Sequence, residues 1–246
     1  MTHKEFQQVV NDDFYQVLLV GAAKNNAGYE VRDNTGDNIS LKNQNFCELT
    51  GLYWLWKNAN DDVIGLCHYR RYFVENSFCN KRNILNKENT NKCLEVNDMI
   101  MPRKRWFDGK NALDFYSIHH NIEDWNRMKS VVKRLYPDYM EDICWFEKQK
   151  MGYCYNMFVS TKNMFDSYCE WLFSILFELE KITNISEYSN YNKRLYGFLS
   201  ERLINIWIHH NKLRVCEKKV YNPKMFSMIM SQTKEYVVRK LKNEDK

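Results

Sequence analysis

The sequence predicts one α/β domain, a mainly parallel sheet flanked by helices. Three observations carry that expectation. Short apolar runs bounded by turn residues alternate with segments of helical periodicity. A strand-like run, a helix and a second strand-like run succeed one another within residues 14–67, the order of a βαβ crossover. Finally, 246 residues with 44% hydrophobic and 15% aromatic content can bury a sizeable core.

Residues 14–20 (FYQVLLV) are a short apolar run closed by Gly21, as in a buried strand. Residues 24–43 are polar, with Gly28, Gly36 and many Asn and Asp, and read as a long loop of the functional kind. Phe46, Leu49, Tyr53 and Trp56 recur at helical spacing up to Asn58. Residues 63–67 (VIGLC) form a second buried strand, and the Asn- and Lys-rich residues 76–95 read as a loop. Residues 96–101 read as a strand stopped by Pro102. Trp125, Met128, Val132 and Leu135 mark a helix that Pro137 closes. Residues 155–159 read as a strand. Thr161 then caps a long helix with Met164, Leu172 and Leu179 on its apolar side. A second helix starts with Ser200 as N-cap and runs to His209, and residues 214–216 are a last short strand. The pattern over 224–242 is amphipathic and helical, so the chain divides into a domain at 1–217 and a basic tail at 218–246.

The net charge of +5 belongs to that tail, where eight Lys/Arg stand against three Asp/Glu. A neutral body argues against a nucleic-acid partner, while a basic tail suits an anionic membrane surface. No apolar run approaches the ~18 residues of a membrane span, and MTHKEF offers no apolar signal region. The expected location is therefore the cytoplasm, with peripheral contact at the inner face of the membrane. The eight cysteines form no CxxC and are expected to be reduced core residues.

Three segments carry candidate chemistry. Residues 32–40 (RDNTGDNIS) crowd short polar side chains around Gly36, which suits a sugar or ribose, or a plain Asx-rich turn. The strand VIGLC runs into His68, Tyr69, Arg70 and Arg71. Guanidinium groups at a strand end match phosphate oxygens. In an extended segment only one of the two arginines would face the site. Glu201, just after Ser200, is placed in a first helical turn, favourable for the dipole and equally for a fixed base. The pairs His119–His120 and His209–His210 lack metal-ligand spacing and read as surface or capping pairs. There is no GxGxxG, P-loop or GxSxG.

Taken together, THKEF (2–6), RDNTGDNIS (32–40), CELTGLYWLWKN (47–58), IGLCHYRRYF (64–73), YPDY (136–139), NMFV (156–159), YCEWLFSILFELE (168–180) and RLYGFLSERL (194–203) resemble a bacterial polysaccharide-biosynthesis glycosyltransferase family. That family, long catalogued as an uncharacterised domain of capsule and O-antigen clusters, is associated with galactofuranosyl transfer. The resemblance implies an A-type glycosyltransferase fold, a UDP-sugar donor (UDP-galactofuranose first) and a growing or lipid-linked glycan acceptor. It implies Glu201 as the base, with Asp37 in reserve. It places His3, Lys4, Asp33, Asn38, His68, Arg70 and Arg71 at the donor and Asn156 on the acceptor side. Arginines where such enzymes often carry an Asp-x-Asp motif imply transfer without a metal; Asp33 and Asp37 keep Mg²⁺ or Mn²⁺ as an alternative. Family members usually carry a short apolar strand before the THK, whereas Met1 alone precedes it here. Transfer of another, pyranose sugar, or a truncated relative that binds nucleotide or glycan without catalysis, are the alternatives.

Overall fold

The computed structural model describes residues 1–10, 13–75 and 81–223. Its strands are short. The leucines of the first apolar run form β1 (Leu18–Leu19), parallel to β2 (Val31–Arg32). Thr2 extends this small sheet, donating to the Leu18 carbonyl at 2.9 Å and accepting from the Val20 N–H at 2.8 Å. The chain continues through α1 (Asn43–Phe46), α2 (Leu49–Asn58), β3 (Val63–Gly65), β4 (Tyr72–Val74), α3 (Lys87–Val96), β5 (Met99–Pro102) and β6 (Arg105–Trp106). It then forms α4 (Ala112–His119), α5 (Ile122–Leu135), α6 (Met140–Glu147), β7 (Met151–Gly152), β8 (Val159–Thr161), α7 (Lys162–Ile182), α8 (Leu195–His210) and β9 (Val215–Tyr221).

The central sheet has the order β3-β8-β5-β9-β4. The α/β class holds, but the expected mainly parallel pairing does not. Only β5 and β9 run parallel; β3–β8, β8–β5 and β9–β4 are antiparallel. Continuous apolar runs such as MIMP signal burial on both faces, and a covered antiparallel strand produces the same run. Nor do the first two predicted strands pair: β1 joins β2 in its own sheet, so no βαβ unit links residues 14–20 to 63–67. β9 carries the central sheet through Tyr221, past the boundary expected at 217. The tail at 224–242 lies outside the described residues.

Helices cover the sheet because their apolar residues demand it. Along α7, Phe165, Leu172, Ile175, Leu176 and Leu179 are buried. Thr161 stands at the N-cap as expected, although its hydroxyl makes no capping bond. Helix α8 is buried almost all round, through Leu195, Tyr196, Leu199, Leu203, Ile204, Ile206 and Trp207. Such a helix belongs inside a domain, and it carries its few charged residues inward.

Other local expectations change. The Asn- and Lys-rich segment contains α3, capped by the Asn86 side chain accepting from the Asn89 N–H, with Thr90 its buried residue. So thin a buried line leaves no visible apolar period. The helix expected over 46–58 is broken at Cys47, whose φ is 52°. Most of 155–159 is not strand; β8 starts at Val159. Helix α8 begins at Leu195, so Ser200 is an interior residue rather than an N-cap and Glu201 is not in the first turn.

The described cysteines are unbridged; Cys154 and Cys169 are buried, but Cys144 is exposed. His209 and His210 are not a bare surface pair. Their Nδ1 atoms meet Asp142 at 2.6 and 2.7 Å, and their rings stack on Trp145 and Tyr139. Among the described residues, no helix is long and apolar enough to cross a membrane.

Candidate active site

A cleft of about 750 Å³ opens where the N-terminal segment, α1, the β3–β4 turn, β6 and α8 meet. Its charged lining is mostly cationic: Lys4, Arg70, Arg71, Arg105, Arg194 and Arg202 stand with Glu48 and Glu201. Charges of one sign gathered in a concave site attract an anion and strengthen one another's effect on it.

A turn explains the first part of this charge. The Arg71 N–H donates to the His68 carbonyl at 2.9 Å, closing His68-Tyr69-Arg70-Arg71 on itself. Residues of a turn do not alternate as strand residues do. Both arginines therefore line the cleft, where an extended segment would have offered one. Tyr69 organises the cations around it. The Lys4 ammonium and the Arg70 guanidinium each lie 5.6 Å from its ring centre, and the His3 ring meets it edge-on at 5.5 Å. Arg71 lies over the Tyr155 ring at 4.2 Å. Cations over aromatic faces are held in place while keeping their charge for a ligand.

Both histidines are shifted toward the neutral form. Burial lowers the His3 imidazole, and Lys4, Arg70 and Arg194 lower it further. Burial also takes His68 down to about 3, with Arg71 and Arg70 adding to it. The His68 Nε2 is buried at the cleft wall with no hydrogen-bond partner among the described residues. A buried, unpaired ring nitrogen is uncommon and is an available contact for a ligand.

The same cleft carries two carboxylates. Glu201 Oε2 pairs with Arg202 Nη1 at 2.8 Å. Burial raises the Glu201 carboxyl above the ordinary glutamate range; Arg202 pulls the other way, and Glu48 adds to the rise. Glu48 is held by Asn156, whose Nδ2 donates to Glu48 Oε1 at 2.7 Å and to the Gly197 carbonyl at 3.2 Å. The Ser200 hydroxyl in turn donates to Asn156 Oδ1 at 2.8 Å. Asn156 itself does not line the cleft. Two lining residues, Cys47 at φ 52° and Tyr155 at φ 74°, have left-handed backbone. For residues with a Cβ this is strained, and such strain gathers at functional sites.

The segment 32–40 lies elsewhere. Asp33 is fully buried, and its carboxylate accepts from Gly21 and Ala22 N–H at 2.8 and 2.9 Å and from the Ser40 hydroxyl. Asn38 bonds within its own turn, to the Gly36 carbonyl and the Ser40 N–H. Asp37 is exposed and accepts from the Tyr53 hydroxyl at 3.2 Å. None of the three lines the cleft. Asp33 and Asp37 do not fit a shared divalent ion, because the Asp33 oxygens are already engaged by three donors. Among the described residues, no three His, Cys, Asp or Glu side chains are grouped to hold a metal.

The family described as a domain of unknown function, DUF4422, matches residues 1–212. The chain belongs to this family. A solved structure, that of a WbbM bifunctional glycosyltransferase in its apo form, is similar with a TM-score of 0.79 and 36% identity. The similarity covers 86% of this chain and 42% of that one, so the chain spans less than half of that protein. No curated protein matches the chain. The DUF4422 domain seen here thus has a glycosyltransferase A-like α/β fold.

Of the expected DUF4422 site residues, the fold brings His3, Lys4, His68, Arg70, Arg71 and Glu201 to one cleft. It leaves Asp33, Asp37, Asn38 and Asn156 outside the lining. Sequence reasoning missed Glu48, Tyr69, Arg105, Arg194 and Arg202. One signal was available for Arg202: with Glu201 it sits in a helix whose residues are mostly buried and apolar, and an ionisable pair in such a helix needs a reason.

Proposed function

We propose that this domain is a glycosyltransferase. In this reading it moves a sugar, galactofuranose first among candidates, from a UDP-sugar to a growing cell-surface polysaccharide or lipid-linked glycan, with inversion. The observation that carries the reading is the cleft itself, which gathers cations around Tyr69 and a carboxyl raised by burial in one lining. The likeness to a glycosyltransferase supports the reaction class; the sugar rests on the resemblance of the sequence segments.

The chemistry follows from these two kinds of group. A leaving UDP gains charge on its diphosphate as the glycosidic bond breaks. Lys4, Arg70 and Arg71 neutralise that charge in a site already built for it, the part a divalent ion plays in other enzymes. Glu201 takes the proton of the acceptor hydroxyl as it attacks. A carboxyl above the ordinary range is a stronger base once ionised and is better matched to neutral pH. Arg202, bonded to Glu201, fixes the carboxylate's orientation. The neutral His68 contributes a hydrogen bond rather than a charge.

The test is incubation with a panel of UDP-sugars, UDP-galactofuranose included, together with glycan acceptors, reading free UDP. Acceptor-dependent UDP release from one sugar is expected. A protein that binds no UDP and releases none from any donor overturns the reading.

A further inference from the structure

Beside the cleft stands a group of aromatic rings that the donor side does not use. Phe115, on α4, lines the cleft and packs at a tilt against His119 with 4.4 Å between ring centres. The next residue, His120, stacks on Phe198 of α8 at 4.1 Å and lies parallel to Tyr191 at 5.8 Å. Tyr191 and Phe198 are themselves 5.0 Å apart. Arg194, which lines the cleft, lies 5.3 Å from the Phe198 ring. The group is therefore continuous with the cleft at both Phe115 and Arg194.

Three features say what it would hold. Tyr191 is 50% exposed, an unusual position for a ring that is otherwise stacked. His120 Nδ1 is buried without a partner among the described residues. The His119 Nδ1 is 2.8 Å from the Phe115 carbonyl, which can only accept, so Nδ1 carries the hydrogen and Nε2 is left for another partner. The exposed Tyr191 ring, with the His119 Nε2 nearby as a hydrogen-bonding group, matches a sugar ring, which has an apolar C–H face and a rim of hydroxyls. Its position fits as well. Phe198 and Glu201 are three residues apart on α8 and share a face of that helix.

We propose that Tyr191 and Phe198, with His119 and His120, form the acceptor subsite, where a sugar ring of the glycan acceptor lies against the aromatic faces and presents its hydroxyl toward Glu201. This rests on the glycosyltransferase reading of the cleft. Burial, with Arg202, His119 and Arg194, holds the His120 imidazole down at about 3, so no charge from it repels Arg194 beside Phe198.

The experiment uses the full chain with UDP present and two simple probes, lactose and maltose, followed by saturation-transfer NMR. Transfer to the sugar C–H protons is expected for the wild type and for Tyr191→Phe, which keeps the ring. It is expected to be lost in Tyr191→Ala and in Phe198→Leu, with UDP affinity unchanged in every variant. Equal transfer in all variants, or none in the wild type, overturns the subsite. Loss of UDP binding by the wild type would instead overturn the donor reading, and the sugar measurement stands apart from it.

Discussion

Asn156 Nδ2 donates to Glu48 Oε1 at 2.7 Å, joining positions 108 residues apart in the chain. The residue expected to touch the acceptor instead positions a carboxylate that lines the cleft. Asn156→Ala leaves buried groups unpaired and should cost about 1–3 kcal/mol, read as a lower urea midpoint. Asn156→Asp sets a second carboxylate against Glu48. Ionising it there is unfavourable, so that variant should lose stability as pH rises through the carboxylate range. Equal stability of Asn156→Asp at acid and neutral pH would argue against this pairing.

Arg70→Ala and Arg71→Ala should both weaken UDP binding, because the turn aims both at one cleft. A charge-assisted hydrogen bond contributes about 1.5–3 kcal/mol, or roughly tenfold to a hundredfold in affinity. Arg71, held over Tyr155, should matter more than the exposed Arg70. Calorimetry of UDP binding decides it, and wild-type affinity in both variants would remove the diphosphate clamp.

Glu201→Gln should reduce transfer by about 10²–10⁴-fold while UDP still binds. Because burial raises the Glu201 carboxyl, the acid limb of the kcat/KM profile should lie above that of an ordinary glutamate. Stability should follow the same group. As pH rises, the unfolded chain ionises this residue first, so the wild type loses stability between the ordinary and the raised value. Glu201→Gln should lack that loss. Denaturant titrations of both proteins across this window give the comparison.

Asp33→Ala should destabilise the fold and leave UDP affinity in the surviving folded protein unchanged. Its carboxylate satisfies two backbone N–H groups and a hydroxyl in a fully buried position. Removing it should cost about 3 kcal/mol or more. A loss of UDP binding with unchanged stability would return Asp33 to the donor site.

The tail yields a separate expectation, drawn from its composition alone. Residues 224–246 should bind anionic liposomes, each basic residue contributing about 1 kcal/mol near the surface. Binding should weaken with salt and vanish when the segment is deleted. Equal binding to neutral and anionic vesicles would exclude the electrostatic anchor.

Local pattern was enough for the helices with broad apolar faces. The 3.6-residue repeat of Trp125, Met128, Val132 and Leu135 marks α5, and the run of buried residues from Phe165 to Leu179 marks α7. The same reading placed the strand VIG and the cations after it, although that strand is not the buried one expected: it lies at the sheet's edge, with Ile64 its one buried residue. Strand direction was decided only by the assembled sheet, since an apolar run covered on both faces does not record which way its neighbour runs. The site shows the same division. Arg70 and Arg71 were legible as charges following a strand, and Glu201 as a carboxylate expected in a first helical turn, a placement that α8 moves to its interior. Asp33 and Asp37 looked equally chemical, yet Asp33 is consumed by Gly21, Ala22 and Ser40, and Asp37 by Tyr53. Whether a polar side chain serves a ligand or the chain itself depends on which donors the fold brings within hydrogen-bond distance. Those donors come from other segments of the chain, so tertiary structure alone supplies the answer.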